Sequence, residues 1–215
     1  MNIRKYKDVD RKAVEHIHFE TYFFGKSMAS IIDDERIVSR DICYYFKKEK
    51  DNIFLAEENN KVFGYIIACE DNKRYRESYW ALRNLALNSA KYFFMSKKDK
   101  RFVRSRFKLI WRALRGLNND GNLKVPRNAG HIHINLLPEA RGKGAGSELM
   151  KKMFAHLKKK GVKKIHADSF DTNLNDTKGF WAKHGFKEYS RIKTESWKEY
   201  LPKEKIDLVC YYREL

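Results

Sequence analysis

No stretch of this sequence approaches the ~18 uncharged apolar residues that a membrane span requires, so none is expected. The opening stretch, MNIRKYKDVDRK, has no apolar core, so no secretory signal is expected. Cysteine is scarce. Cys43, Cys69 and Cys210 lie far apart with no CxxC among them, which argues for free thiols in a reducing cytoplasm over disulfides or a metal centre. Internal repeats and low-complexity tracts are absent, which removes solenoids and polar tails from consideration.

Acidic residues are also short, and unevenly so. The 215 residues hold 46 Lys+Arg against 28 Asp+Glu, a net charge of +18. Residues 73–128 carry sixteen of the bases and three of the acids, so +13 sits in about a quarter of the chain. The body is close to neutral, and its 42% hydrophobic and 14% aromatic content excludes a disordered polycation. The expected organisation is one domain, 1–215, with a basic helical insertion at 73–128. Such a segment suits a polyanionic partner: nucleic acid, an acidic membrane surface or a phosphorylated ligand.

Along the chain, Ile3–Tyr6 reads as a strand and a helix with Val14, Ile17, His18 and Phe19 on one face follows. A second helix is expected over Glu35–Lys48. Ile53–Glu57 and Val62–Glu70 read as a hairpin across Asn59-Asn60. Two helices are expected in the insertion, at about Glu77–Met95 and Lys100–Arg115. On the latter, Val103, Phe107, Ile110, Trp111 and Leu114 form an apolar stripe, expected to pack on the core. Asn118–Asn128 reads as loop. His131–Leu137 is a strand, Ala145–Lys160 a helix stopped by Gly161, and Val162–Ala167 a strand. Thr177–His184 is a short helix, with strands at Phe186–Ile192 and Ile206–Arg213. The mixture predicts an α/β (α+β) domain with a mixed sheet.

Chemistry concentrates in one run. The strand His131–Leu137 and Pro138 feed a turn with glycines at 142, 144 and 146 that opens a helix. Glycines admit a ligand close to the backbone, and a helix N-terminus offers free N–H groups with a positive dipole, so a phosphate or pyrophosphate is expected on residues 141–146. It is not a Walker A loop: Gly25-Lys26-Ser27 has that ending, but position 20 is Glu. The Gly142-Lys-Gly144-Ala-Gly146 spacing also fails the dinucleotide fingerprint.

Arg141-Gly-Lys-Gly144-Ala-Gly146 does match R-x-x-G-x-G, and Asn173 or Asn175 followed by Phe180-Trp181-Ala-Lys-His-Gly185-Phe186 resembles an N…FYxxxGF signature. On these residues the chain resembles the GNAT superfamily of acetyl-CoA-dependent N-acetyltransferases. The run HIHINLLP at 131–138, the helical insertion before it and Gly64-Tyr65-Ile66 are similar to bacterial members akin to the acetyltransferase-like C-terminal domain of O-GlcNAcase. The resemblance implies a mostly antiparallel central sheet flanked by helices, with the basic insertion between strands 3 and 4.

It further implies acetyl-CoA as co-substrate, held in a V-shaped opening between 131–137 and 162–168. The implied cofactor-binding residues are Leu136, Leu137, Arg141, Gly142, Lys143, Gly144, Ala145, Gly146, Asn175 and Trp181. An N–H near Leu137 would polarise the thioester carbonyl. A primary amine of a small molecule or protein would be the acceptor.

Two positions depart from the family. Trp181 stands where many relatives have a Tyr able to protonate the leaving thiolate, with Tyr189 and Ser169 as nearby hydroxyls. Asn135 stands where close relatives often have Asp. Catalytic candidates are therefore Asp168, His133 and Asn135, with His131 as a further base. The His131-x-His133 pair has no third ligand at suitable spacing, so no metal is expected. Two alternatives remain: a catalytically weak acetyl-CoA-binding pseudo-acetyltransferase, and an enzyme docked to nucleic acid or ribosome through its insertion. The sequence also admits a dimer, and a cytoplasmic location is expected.

Overall fold

Short β-branched and aromatic runs separated by polar turns build a sheet, and amphipathic stretches cover both of its faces. The computed structural model describes residues 1–73, 92–117, 122–175 and 177–215. Numbering only described elements, the chain runs β1 (Asn2–Lys5), α1 (Arg11–Thr21), α2 (Arg36–Ser39), α3 (Cys43–Lys48), β2 (Ile53–Glu58), β3 (Lys61–Cys69) and α4 (Lys97–Leu114). It continues with β4 (Gly130–Leu136), α5 (Ala145–Lys159), β5 (Lys164–Asp171), α6 (Thr177–Lys183), β6 (Lys187–Lys193) and β7 (Asp207–Glu214). These strands form a seven-stranded sheet in the order β1-β2-β3-β4-β5-β7-β6. Every neighbouring pair is antiparallel except β4–β5.

The β2–β3 hairpin forms as expected, because Asn59 and Asn60 both accept positive φ (50° and 60°), which a two-residue turn demands. Strand alternation then divides the core. Phe54, Ala56, Ile66, Ala68, Ile132, Ile165, Ala167 and Val209 face the apolar side of α5 and Trp181. The intervening residues Ile53, Leu55, Tyr65, Ile67 and Cys69 pack with Val14 and Ile17 of α1 and Tyr44–Phe46 of α3. A third cluster surrounds the buried Trp197, which meets Phe23, Phe24, Phe102 and Phe170 edge-on or tilted.

Three expectations need amending. The helix expected over Glu35–Lys48 is broken into α2, a 3-10 turn at Arg40–Ile42 and α3. Ile37, Val38 and Ser39 are buried consecutively, as are Tyr44, Tyr45 and Phe46. The two buried triplets lie seven residues apart, the spacing that read as one continuous helical face, and the tighter 3-10 turn between them breaks that helix in two. In α4, Phe102 and Val103 are buried, but Phe107, Trp111 and Leu114 are 41%, 51% and 83% exposed, so the stripe packs on the core only through its first turns. The expected helix Glu77–Met95 lies mostly outside the described residues, with a single 3-10 turn at Tyr92–Phe94, as does the start of the loop Asn118–Asn128. Among the described residues no helix is long and apolar enough to cross a membrane. The three cysteines are free thiols.

Candidate active site

The parallel pair β4–β5 is joined over only two register positions, Gly130↔Ile165 and His131↔His166. Beyond them β4 stays bound to β3, through Gly64↔Leu136, and β5 stays bound to β7, through Asp171↔Asp207. With each strand held on its outer side alone, the two halves of the sheet diverge into a V. The Leu137 N–H donates to the Phe63 carbonyl at 2.8 Å. Antiparallel alternation therefore turns the amides of Ile134 and Leu136 the other way, into the gap. Near Leu137, the amide that faces the gap is therefore that of Leu136, because the N–H of Leu137 is committed to β3.

The V opens into a cavity of about 640 Å³ lined by residues from both arms, the loop after α1 and the start of α5. At its α5 end Gly142 and Gly144 take φ of 72° and 81°, a region costly for other residues. A Cβ at either would meet nothing within 4 Å, so the turn presents bare backbone to open space. Gly144 is the N-cap of α5 and supplies no side-chain cap, leaving the first-turn amides for an external anion. At Gly146 a Cβ would lie 3.1 Å from Leu136 Cδ1 and 3.3 Å from Phe180 Cε2, so the absent side chain lets α5 close against β4 and α6. Arg141 braces this corner. Its Nε donates to the Leu136 carbonyl at 3.0 Å and its Nη2 to the Gly25 carbonyl at 2.6 Å.

Of the residues singled out in the sequence, His133, Asn135, Leu136, Arg141, Gly142, Gly144, Gly146, Asp168, Asn175 and Trp181 line the cavity together. Three do not. Leu137 turns toward the α1 side and packs with that cluster, Ala145 is buried as the first residue of α5, and Lys143 is exposed. Trp181 reaches the cavity from within the core, 6% exposed against Phe186 and Tyr211. Ser169 lines the cavity, whereas Tyr189 stands half exposed on β6 against Tyr212, away from it.

The polar wall opposite α5 was only partly visible in the sequence. Period-two alternation puts His131, His133 and Asn135 of β4 and His166 and Asp168 of β5 on the α1 side. There they meet His18 of α1 and Tyr45 of α3, which sequence reasoning did not assign. Tyr65 OH bridges the network, 2.8 Å from His18 Nδ1 and 3.2 Å from the Asn135 amide that donates to it. Tyr45 OH lies 2.8 Å from His131 Nδ1. The rings of His18 and His133 meet edge to face at 5.5 Å, and those of His131 and His166 lie 5.0 Å apart.

Protein encloses these imidazoles although part of His131 and His133 faces the cavity. Burial holds His18 and His131 well below the usual histidine range and His133 down to about 4. All three are neutral at pH 7. His133 Nε2 is buried and finds no hydrogen-bond partner among the described residues. The signal that could have found His166 is its own spacing, since His166-x-Asp168 puts a second polar pair on one face of the next strand.

A mixed sheet that splays at its single parallel junction, beside an uncapped helix N-terminus, is the architecture of an N-acetyltransferase fold. A family model described as the acetyltransferase (GNAT) family matches residues 12–186, and the chain belongs to that family. No curated protein matches the sequence. Among solved structures it is similar to that of SsHAT, with 20% identity, 99% of this chain and 97% of that one covered and a TM-score of 0.63. It is also similar to an N-acetyltransferase from Staphylococcus aureus Mu50, with 18% identity, 99% and 97% coverage and a TM-score of 0.58. A phosphinothricin acetyltransferase from Sinorhizobium meliloti, solved in complex with AcCoA, gives 16% identity, 100% and 88% coverage and a TM-score of 0.56. At these identities the likeness concerns the fold.

Proposed function

We propose that this protein is an acetyl-CoA-dependent N-acetyltransferase that acetylates a primary amine, of a small molecule or a protein, in the cytoplasm. The observation carrying this reading is the V between β4 and β5 running directly into the bare glycine turn and open N-terminus of α5. Within the family, the run at 131–138 and the insertion before it favour the bacterial subgroup akin to the acetyltransferase-like domain of O-GlcNAcase.

Bound acetyl-CoA supplies an acetyl group activated as a thioester. Backbone amides of residues 142–146 and the positive end of α5 hold the pyrophosphate. The inward amides of Ile134 and Leu136 hold the pantetheine arm, and that of Leu136 polarises the carbonyl. The acceptor's neutral nitrogen forms the N–C bond as the C–S bond breaks and the electron pair leaves on sulfur. His133, neutral and among the residues lining the cavity, takes the proton that the nitrogen releases. Asn135, tied to Tyr65, positions this wall. Indole N–H is too weak an acid to protonate the thiolate, so Trp181 only shapes the wall and the thiolate leaves toward solvent or Ser169.

Thiol release with a panel of amines and peptides tests the reading. A His133→Gln variant should lose ~10²–10⁴-fold in kcat, with CoA affinity kept. No CoA binding at micromolar concentration overturns the proposal. CoA binding without thiol release from any amine leaves the pseudo-acetyltransferase. A second reading, docking of a polyanion, is favoured by the exposed Lys97, Lys98, Arg101, Arg104, Lys108 and Arg115 of the α4 region. Binding to RNA or DNA should then fall by orders of magnitude between ~50 and ~200 mM salt.

A further inference from the structure

We propose that His131, His166 and Asp168 form a binding site for one divalent transition-metal ion of the Zn²⁺ class, at the apex of the V. The ligand atoms of these three side chains all lie within 4.8 Å of one another. A tetrahedral ion with bonds of about 2.0–2.2 Å wants its ligand atoms about 3.4 Å apart, so small side-chain torsions close the set. The backbone is already arranged for it. His131 and His166 are register partners at the parallel junction, and Asp168 follows on the same face of β5.

The outer contacts are those a metal site needs. The Gly130 carbonyl can only accept a hydrogen bond, so its 3.0 Å contact requires the proton of His166 on Nδ1 and puts the lone pair on Nε2. Tyr45 OH, 2.8 Å from His131 Nδ1, can accept in the same way and fix the second ring. Two imidazoles held through Nδ1 and presenting Nε2 are the oriented ligands that second-sphere partners produce in metalloproteins. Asp168 is joined by the thiol of Cys210 from the neighbouring β7 and is itself exposed. All but the buried His166 line the cavity, which provides an entry path.

Two nitrogens and one carboxylate oxygen match Zn²⁺ or Co²⁺ better than Mg²⁺ or Ca²⁺, which prefer all-oxygen sets. Three protein ligands leave a coordination position open toward the cavity, where a water, an acceptor carboxylate or the leaving thiolate fits. Spacing along the sequence does not reveal this site because two of its three ligands, His166 and Asp168, come from the neighbouring strand.

The experiment uses the full chain, stripped with chelator, without acetyl-CoA, so its outcome is independent of the acetyltransferase reading. Calorimetric titration with Zn²⁺ should show one equivalent bound at micromolar Kd or tighter, and Co²⁺ should give the intense visible bands of a low-coordinate site. Asp168→Asn, an isosteric change at an exposed position, should weaken binding at least tenfold and alter the Co²⁺ spectrum. His166→Gln should abolish binding. Tyr45→Phe should cost about tenfold, as loss of an outer-sphere partner does. Absence of stoichiometric binding, or binding unchanged in both Asp168→Asn and His166→Gln, overturns the proposal. Should His166→Gln fail to fold, Asp168→Asn alone decides it.

Discussion

Gly144 offers a test in which folding and cofactor binding move in opposite directions. Its φ is 81°, and a Cβ there meets no atom within 4 Å, so a side chain costs backbone strain without collision. Gly144→Ala should therefore lose ~1–2 kcal/mol, which lowers Tm by about 2–8 °C at ~2–4 °C per kcal/mol for a chain of this size. Gly144→Glu carries the same strain, but its carboxylate sits at the N-cap of α5, where the helix dipole returns ~0.3–1 kcal/mol. The unliganded Glu variant should thus be slightly more stable than the Ala variant. For CoA the order reverses. A carboxylate about 4 Å from a phosphate charge costs ~1 kcal/mol in water-like surroundings and ~4 kcal/mol at an effective dielectric of ~20. That corresponds to a loss between about 5-fold and about 10³-fold relative to the Ala variant. Thermal unfolding measures the first effect, and calorimetric titration with CoA, with pantetheine as the phosphate-free control, measures the second. If Gly144→Glu binds CoA as tightly as Gly144→Ala, or if relative to Ala it weakens pantetheine as much as CoA, the pyrophosphate is not seated on this turn.

Three further outcomes follow from the packing and charges. A Cβ on Gly130 would stand 2.6 Å from the Cys69 carbonyl, a backbone atom that cannot swing away, so Gly130→Ala should cost ~1–3 kcal/mol in urea unfolding. Unchanged stability would mean that β3 and β4 are not that close. Trp197→Ala, at a site 1% exposed among aromatic rings, should cost ~3–5 kcal/mol and release the start of α4; a loss under ~1 kcal/mol would contradict the third cluster. Asp10 is held below its ordinary value of 3.8, first by hydrogen bonds from Arg4 and then by the Lys7 amide, against the cost of burial. A depressed folded pKa means its stabilisation is present above 3.8 and is lost as pH falls through the lower folded value. Asp10→Asn should flatten the acid limb of a stability-against-pH curve below about pH 4 without steepening it near neutrality. An unaltered acid limb would refute the assignment.

Elements defined by local physics were legible in the sequence. The Asn59-Asn60 turn, the apolar stripe of α5 and the glycines at 142, 144 and 146 each depend on conformational preferences or periodicity within a short window. So the hairpin, the helix and the glycine turn that opens it all stand where the residues alone place them. The family signature rides on the same local features, which is why acetyl-CoA was expected before any fold was in view.

What the tertiary structure decided is everything that depends on which strand lies beside which. Periodicity could put His131 and His133 on one face of β4, but only the parallel junction with β5 brings His166 and Asp168 to them. It could not foresee that α1 and α3 would supply His18 and Tyr45 to the same wall, nor that Leu137 would spend its amide on Phe63. The straight helix expected over Glu35–Lys48 and the buried stripe expected along α4 failed for one reason. Helical periodicity marks which residues are apolar, and the distant surfaces that meet them decide where the helix must bend and how much of the stripe is covered. The short residue windows therefore determined the chemistry of the turn, and the long-range pairing of the sheet determined the cleft and the histidines gathered at its apex.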